Sequence, residues 1–451
     1  MIFKISYKAI ILAFGITFFF SCGKESVSTD SPRGCTLLDQ EIELVQEFSA
    51  IAYPFVDSDP NSIDNMLDPL IEYISKAHIV GLGEGTHGTK EFYDMKHKIF
   101  RSLVIDKGFK AIIFEIPWGN ALVVNDFVVN GNGTAEEAID QTWYWTYNTE
   151  EVRHLAQWMH DYNLDRADHE KIYFVGCDPQ GPNFEIEENL VRNYILSIFP
   201  DSAFYLSSAY QNLPNGDLSN YHLTDSDIQL SNRKGVSQVL RLFEEQQEIL
   251  IENSSVKEFE IAKMAAHLIS QRERIYRTQQ NGAPRDSLMA HYTMWWQQIF
   301  GSESKVAVWA HNLHVMDGGS FNSAFMGTVL KDALDDDYRN VGFSFGQGSL
   351  NAFLADRNRD PIGGARRQVL GEPVCRTTNF LLSEIEGGQH YYIFDEASGR
   401  AADYFQAPNP FMQCGAGFNP NFAQNYVQNF PLSHTLDVLI HFDETRASDL
   451  R

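Results

Sequence analysis

The sequence predicts an α/β fold, a mostly parallel sheet flanked by helices, with a helical insertion and an irregular C-terminal region. Three observations carry that expectation. Four short apolar runs rich in β-branched residues, His78–Leu82, Ala111–Phe114, Lys171–Val175 and Val306–Ala310, are each bounded by turn chemistry, and Asn340–Phe345 is similar. Continuous apolar runs of this length, separated by helical patterns, read as strands buried on both faces, the habit of parallel sheets. Between the third run and the fourth lies a long stretch with helical spacing and no strand signal. After the fifth, Gln347–Pro431 is rich in Gly, Asn, Pro and aromatics with little periodicity, and reads as loops and a small extra sheet.

Taken in order, the chain opens with Lys4 and Lys8 ahead of an apolar stretch, Ala9–Phe20, that ends in Phe20-Ser21-Cys22-Gly23. That stretch is short for a bilayer span, which needs about 20 apolar residues. A small residue followed by Cys resembles a bacterial lipobox, so residues 1–22 read as a lipoprotein signal peptide with Cys22 as the lipid anchor. Residues 23–37 then form a polar tether. The first half of the core, residues 38–183, contains one βαβ unit: Phe92, Met95, Ile99 and Leu103 give the crossover Glu91–Lys107 an apolar helical face. Residues 184–282 form the insertion. There Val236, Val239, Leu240 and Phe243, then Ile261, Met264, Ala265 and Leu268, recur at helical spacing across a polar break at Asn253–Ser255, a helical hairpin. Upstream of it, Asn212–Arg233 reads as a long loop, and the insertion is placed to cap a site. Residues 283–451 complete the core, with a helix through Met289, Tyr292 and Trp296 leading into the fourth strand.

Composition narrows the function. A net charge of -25 over 451 residues argues against binding nucleic acid or an anionic lipid surface, which leaves a small-molecule partner. Export permits disulfides among Cys35, Cys177, Cys375 and Cys414, and shared location in the loop-rich C-terminal region favours Cys375 with Cys414. No Cys spacing of the zinc type occurs, so a thiolate metal site is not expected, and the reading names no cofactor.

The chemistry gathers at strand ends. The first strand leads into Glu84 and His87, the second into Glu115, the third into Asp178, and the fourth into His311 and His314. In an open parallel sheet these ends share one edge, where ligands bind, so the set converges. His97, His154 and His160 sit on helical patterns and read as ordinary helix residues. Trp143, Trp145, Trp295 and Trp296 read as core or pocket wall. Without a GxSxG elbow, or a nucleophilic Ser or Cys at these ends, an acyl-enzyme is disfavoured. Glu84, three residues before His87, is spaced to orient an imidazole that deprotonates water, and His311 or His314 is then available to an oxyanion or leaving alcohol. Two alternatives use the same residues: a zinc- or manganese-dependent hydrolase, which lacks the HExxH pattern, and an exported binding lipoprotein without turnover.

Gly83-Glu84-Gly85-Thr86-His87-Gly88-Thr89-Lys90-Glu91-Phe92 resembles the marker segment of the erythromycin esterase family. Further likeness runs through Phe114-Glu115, Trp145-Thr146, Arg285-Asp286 with Met289-Ala290, and Trp309-Ala310-His311-Asn312 with His314. The resemblance implies a hydrolase of esters, with macrolide lactones as the family's named substrate, and no required metal. It implies that His87 activates water with Glu84, Glu115 and His311 in support. His314, Lys96, Arg285 and Asp178 are read as substrate-binding residues of the same cleft. Two departures stand out: Lys96 occupies a place where many members have Arg, and the export signal is unlike the cytoplasmic resistance enzymes. An anchored member is expected on the periplasmic or cell-surface side.

Overall fold

The computed structural model describes residues 34–214, 218–280, 282–318 and 325–451. The expected export signal, Cys22 and most of the expected tether lie outside the described residues. Twelve strands are described: β1 (Tyr53–Pro54), β2 (Ile79–Leu82), β3 (Ala111–Pro117), β4 (Tyr173–Asp178), β5 (Val306–Trp309), β6 (Tyr338–Ala355), β7 (Pro361–Val369), β8 (Gln389–Ile393), β9 (Pro408–Met412), β10 (Gly417–Phe418), β11 (Val427–Pro431) and β12 (Val438–Thr445). The main sheet runs β1-β8-β12-β6-β2-β5-β3-β4. From β12 to β4 every neighbouring pair is parallel, while β8 and β1 close one edge antiparallel. The fold is therefore the mixed α/β, mostly parallel arrangement that the apolar runs imply.

Alternation along the strands explains the two layers of core. In β3, Ala111 and Ile113 join one apolar cluster, Ile112 and Phe114 the other. Both faces are covered, so both sets are apolar. The crossover helix Lys90–Lys107 ends at Gly108, whose left-handed φ of 72° a glycine adopts without cost. Its strands β2 and β3 are not neighbours, because β5 from far downstream lies between them.

The predicted helical hairpin is present as helices Ser226–Glu245 and Val256–Thr278, and Ser255 caps the second through the Glu258 amide. The expected long loop Asn212–Arg233 is shorter, because Asp225 caps the helix that starts at Ser226. Buried Asn232, already on that helix, donates to the Asn212 carbonyl at 3.0 Å and to the Tyr221 hydroxyl at 2.9 Å. Its Asp and Ser content marked a helix start. The C-terminal region holds the expected small sheet, β9 with β11, yet it also extends β6 to Ala355 and pairs it with β7.

One expectation is overturned. The disulfide joins Cys35 to Cys375, while Cys177 and Cys414 are free and buried. Cys414 is drawn elsewhere, because its amide donates to the Gly85 carbonyl at 2.8 Å beside the first strand's exit. Cys375 lies instead against the N-terminal helix Asp39–Ile51, where Arg376 pairs with Glu41.

Candidate active site

β2, β5, β3 and β4 are consecutive in the sheet, so their carboxyl ends form one continuous edge. Past β2 the chain must turn within bonding distance of its neighbours. A Cβ on Gly85 would sit 2.6 Å from the Phe343 carbonyl, and Gly88, at φ 75°, packs against Asn351. Only glycine tolerates both conditions. Tyr93 pins the turn, accepting from the Gly88 amide at 3.0 Å and donating to the Thr146 carbonyl at 2.6 Å.

This turn delivers Glu84 and His87. Glu84 Oε1 lies 2.5 Å from His87 Nδ1, and its Oε2 takes a hydrogen bond from the Trp309 indole at 3.1 Å and from Lys96 Nζ at 2.5 Å. With Nδ1 held by Glu84, the other ring nitrogen, Nε2, has no hydrogen-bond partner among the described residues, and the side chain is 11% exposed. An imidazole oriented by a buried carboxylate, with its other nitrogen uncommitted, is built to take a proton.

Lys96 is the ammonium beneath that pair rather than a wall of the crevice. It is 0% exposed and lies 4.3 Å from the Trp309 ring centre, with Tyr93 and Phe343 close by. Burial pushes it down to about 8, with Glu84 opposing that shift. Lys96, expected to bind substrate, is thus enclosed by three rings and a carboxylate in this structure.

Past β3 and β4, a second network forms around Arg285, which comes from helix Ala283–Phe300. Its Nε and Nη2 bond the two oxygens of Asp178 at 3.1 and 2.7 Å, and Nη2 also reaches Glu115 Oε1 at 2.8 Å. Tyr144 and the Gln180 amide complete the shell of Asp178, each at 2.9 Å. Asp178 is fully buried and holds Arg285.

The two downstream histidines divide sharply. His311 is buried, its Nδ1 accepting from the Leu313 amide and its Nε2 donating to the Cys414 carbonyl, both at 3.2 Å. Burial, with His87 and His314 beside it, holds it well below the usual histidine range, so the ring is neutral. It meets His87 through its ring, centres 5.0 Å apart. His314 lies between two carboxylates, with Nδ1 2.8 Å from Asp286 and Nε2 3.0 Å from Glu115. Burial opposes its charge, but Asp286 and Glu115 outweigh it and raise His314 to about 10. Glu115 is correspondingly held well below the carboxylate range: burial would raise it, and His314 and Arg285 prevail.

Sequence reading missed Trp309 and Cys414 as partners and Asp286 as the counterion of His314. Trp309 was recoverable, since pairing of β2 with β5 sets it opposite Leu82, two residues before Glu84. The Cys414 contact had no local signal. Its segment enters from between β9 and β10 and reaches the site only through tertiary structure.

The sequence model of the erythromycin esterase family matches residues 104–445. The turn carrying Glu84 and His87 lies just upstream of that match. Erythromycin esterase type II of Escherichia coli is 29% identical over 330 residues, spanning 67% of this chain and 77% of that protein. A succinoglycan biosynthesis protein superposes with a TM-score of 0.80 at 23% identity, covering 92% of this chain and 100% of its own. A Bacillus cereus protein gives 0.81 at 22% identity, covering 91% and 99%. The erythromycin esterase mutant EreC in its open conformation gives 0.67 at 18%, covering 88% and 98%. At these identities the three structures speak to the fold alone. The family match over most of the chain decides the relationship, and the protein belongs to the erythromycin esterase family.

Proposed function

We propose that the protein hydrolyses a carboxylic ester or lactone with a water nucleophile activated by His87. The observation that carries this is the buried Glu84–His87 pair, with Nδ1 tied at 2.5 Å and Nε2 open at the carboxyl edge of the sheet. Water bound at Nε2 gives up its proton to the ring as its oxygen attacks the ester carbonyl carbon. The C–O bond to the alcohol then breaks, and the imidazolium returns the proton to the departing alkoxide. His314, at the same edge, has its charge matched by Glu115 and Asp286 and holds those two carboxylates in place. No covalent intermediate is needed.

The donor set favours direct proton transfer over a metal-bound water. Both oxygens of Glu84, both nitrogens of His311 and both nitrogens of His314 already have protein partners. Glu115 is likewise committed to Arg285, His314 and the His311 amide. Of the Glu84, His87, Glu115, His311 and His314 donors, His87 Nε2 is the one without a partner among the described residues, and one ligand does not hold a catalytic ion. Macrolide lactones and other bulky esters are the substrates to try first, given the Escherichia coli relative. Lipidation at Cys22 would place this hydrolysis outside the cytoplasm.

The deciding experiment is an ester-hydrolysis screen that includes macrolides, run on the wild type and His87→Ala in parallel. Hydrolysis by the wild type that falls by at least about 10²-fold in the variant supports the role of His87. Equal rates in both remove it, and loss of activity with a chelator followed by recovery with zinc or manganese would establish the metal route instead.

A further inference from the structure

The inserted helix Val256–Thr278, between β4 and β5, meets the loop that borders the site. The loop that leaves β4, Pro179–Asn183, follows Asp178 directly and exposes its carbonyls inward. Arg272, 1% exposed on helix Val256–Thr278, takes three of them: Nε donates to Pro179 at 2.9 Å, Nη1 to Asn183 at 2.5 Å and Nη2 to Gln180 at 3.3 Å. The same guanidinium grips both oxygens of Glu187, at 2.9 and 2.8 Å, and Glu187 in turn accepts from the Gly119 amide just past β3. Tyr276, one helical turn on, donates to the Gly181 carbonyl at 3.1 Å. A Cβ on Gly181 would lie 2.7 Å from the Arg272 guanidinium carbon, so the loop is pressed onto the cation. A loop with two prolines and no ladder of its own has few internal means of holding its shape, and Arg272 supplies them from outside.

We propose that Arg272 is a positioning residue for the Asp178–Arg285–Glu115 network. It acts through the loop: the Gln180 amide that Arg272 helps to place donates to Asp178 Oδ1, Asp178 fixes Arg285, and Arg285 fixes the Glu115 carboxylate that holds charged His314. The inserted helices thereby set the geometry of the network through this loop. This inference rests on the hydrolytic reading of that cleft, but the loop itself can be observed independently of turnover.

The test is the full chain carrying Arg272→Met with Glu187→Gln, which removes the buried charge pair together and keeps an acceptor for the Gly119 amide. Ester hydrolysis and amide hydrogen exchange are measured side by side. The expected result is a folded variant whose kcat falls about tenfold or more with KM changed less, since small misplacements of catalytic groups cost this much. The Gln180 amide exchanges at least about tenfold faster in the same variant. Arg272→Lys, which keeps the charge and part of the grip, recovers part of both. A folded double variant with wild-type kcat, or one whose kcat falls while the Gln180 amide stays protected, overturns the proposal. Should the double variant not fold, Arg272→Lys decides: exchange and kcat shifting together uphold it, and either one staying at the wild-type value overturns it. If the wild type hydrolyses no ester, the functional reading fails while the exchange result still judges the positioning.

Discussion

Replacing Lys96 by Arg changes one titration and leaves the charge of the pair intact. The Lys96 ammonium is held at about 8 by its burial, whereas a guanidinium stays protonated throughout the accessible range. Above that value the neutral amine no longer neutralises the carboxylate that orients His87, so wild-type kcat/KM should fall. For a single group near 8, about one molecule in eleven is still protonated at pH 9, a loss of about tenfold from the plateau, and about a hundredfold at pH 10. The groups facing Lys96 are Glu84 and the rings of Trp309, Tyr93 and Phe343, with Glu115 beyond. The Tyr93 hydroxyl is buried and raised well above its ordinary value, so it does not titrate in this window. His314, at about 10, does. The Lys96→Arg variant should therefore hold its rate to about pH 9 and decline only near 10, so the ratio of variant to wild type rises about tenfold between pH 7 and 9. The assay is initial-rate hydrolysis of a stable ester from pH 6 to 10.5, with spontaneous hydrolysis subtracted. Because Arg is larger and the site is closed, overpacking costs about 1–3 kcal/mol, and folded fraction is checked by thermal melting. A limb at the same pH in both proteins would assign the titration to another group and refute the coupling of Lys96 to the reaction.

Three other outcomes follow from the same structure. His390 is buried with both ring nitrogens unpaired and is pushed down to about 4, so the unfolded chain binds a proton there first as pH falls. Its contribution is complete above pH 6.5 and is lost between 6.5 and 4, about 3 kcal/mol in total, and urea melts of His390→Gln should be flatter across that window. Cys375→Ser opens a cross-link spanning 340 residues, which loop-closure entropy values at up to about 5–6 kcal/mol. Cys414→Ser should leave the response to reductant unchanged, and the reverse ranking would restore the Cys375–Cys414 pairing. Finally, Cys22→Ser in the expressed full chain should move the protein from the membrane pellet to the soluble fraction and abolish palmitate labelling, while unchanged fractionation would count against the anchor.

What the sequence conveyed and what it withheld follow from the range of each interaction. Strands β2 to β5 are short, apolar on both faces and set off by turns, so local pattern shows them. β12 was passed over because its apolar run is interrupted by His441, a histidine made tolerable by Ser344 on the neighbouring strand, whose hydroxyl lies 3.0 Å from its ring. Local pattern has no access to that partner. The site divides in the same way. Glu84 and His87 lie three apart and their pairing is a spacing argument, whereas Lys96 reads from sequence as a surface-ready cation. Nothing near Lys96 in the chain announces that Trp309, more than two hundred residues on, will lie across its ammonium. The disulfide failed for a related reason: nearness in sequence stood in for nearness in space, and the amide of Cys414 was already promised to Gly85.

The arrangement of charge also argues for where catalysis resides. Four carboxylates, Glu84, Glu115, Asp178 and Asp286, face three cations, Lys96, Arg285 and His314, and each of these side chains has a partner of opposite sign. Such a set is nearly neutral and closely cross-braced, so a proton moved within it must break an ion pair in a buried setting, at a cost of several kcal/mol. His311 is closed by other means, with both nitrogens bonded to backbone. His87 stands apart from all of these. Its Nδ1 partner prepares the ring, and its Nε2 can gain or lose a proton without disrupting a neighbour. The network is best understood as a rigid frame whose internal protons are locked, which concentrates proton transfer on one nitrogen. That reading explains why Lys96, though buried, is the replacement expected to reshape the pH profile: it is the member of the frame whose lock opens nearest to neutrality.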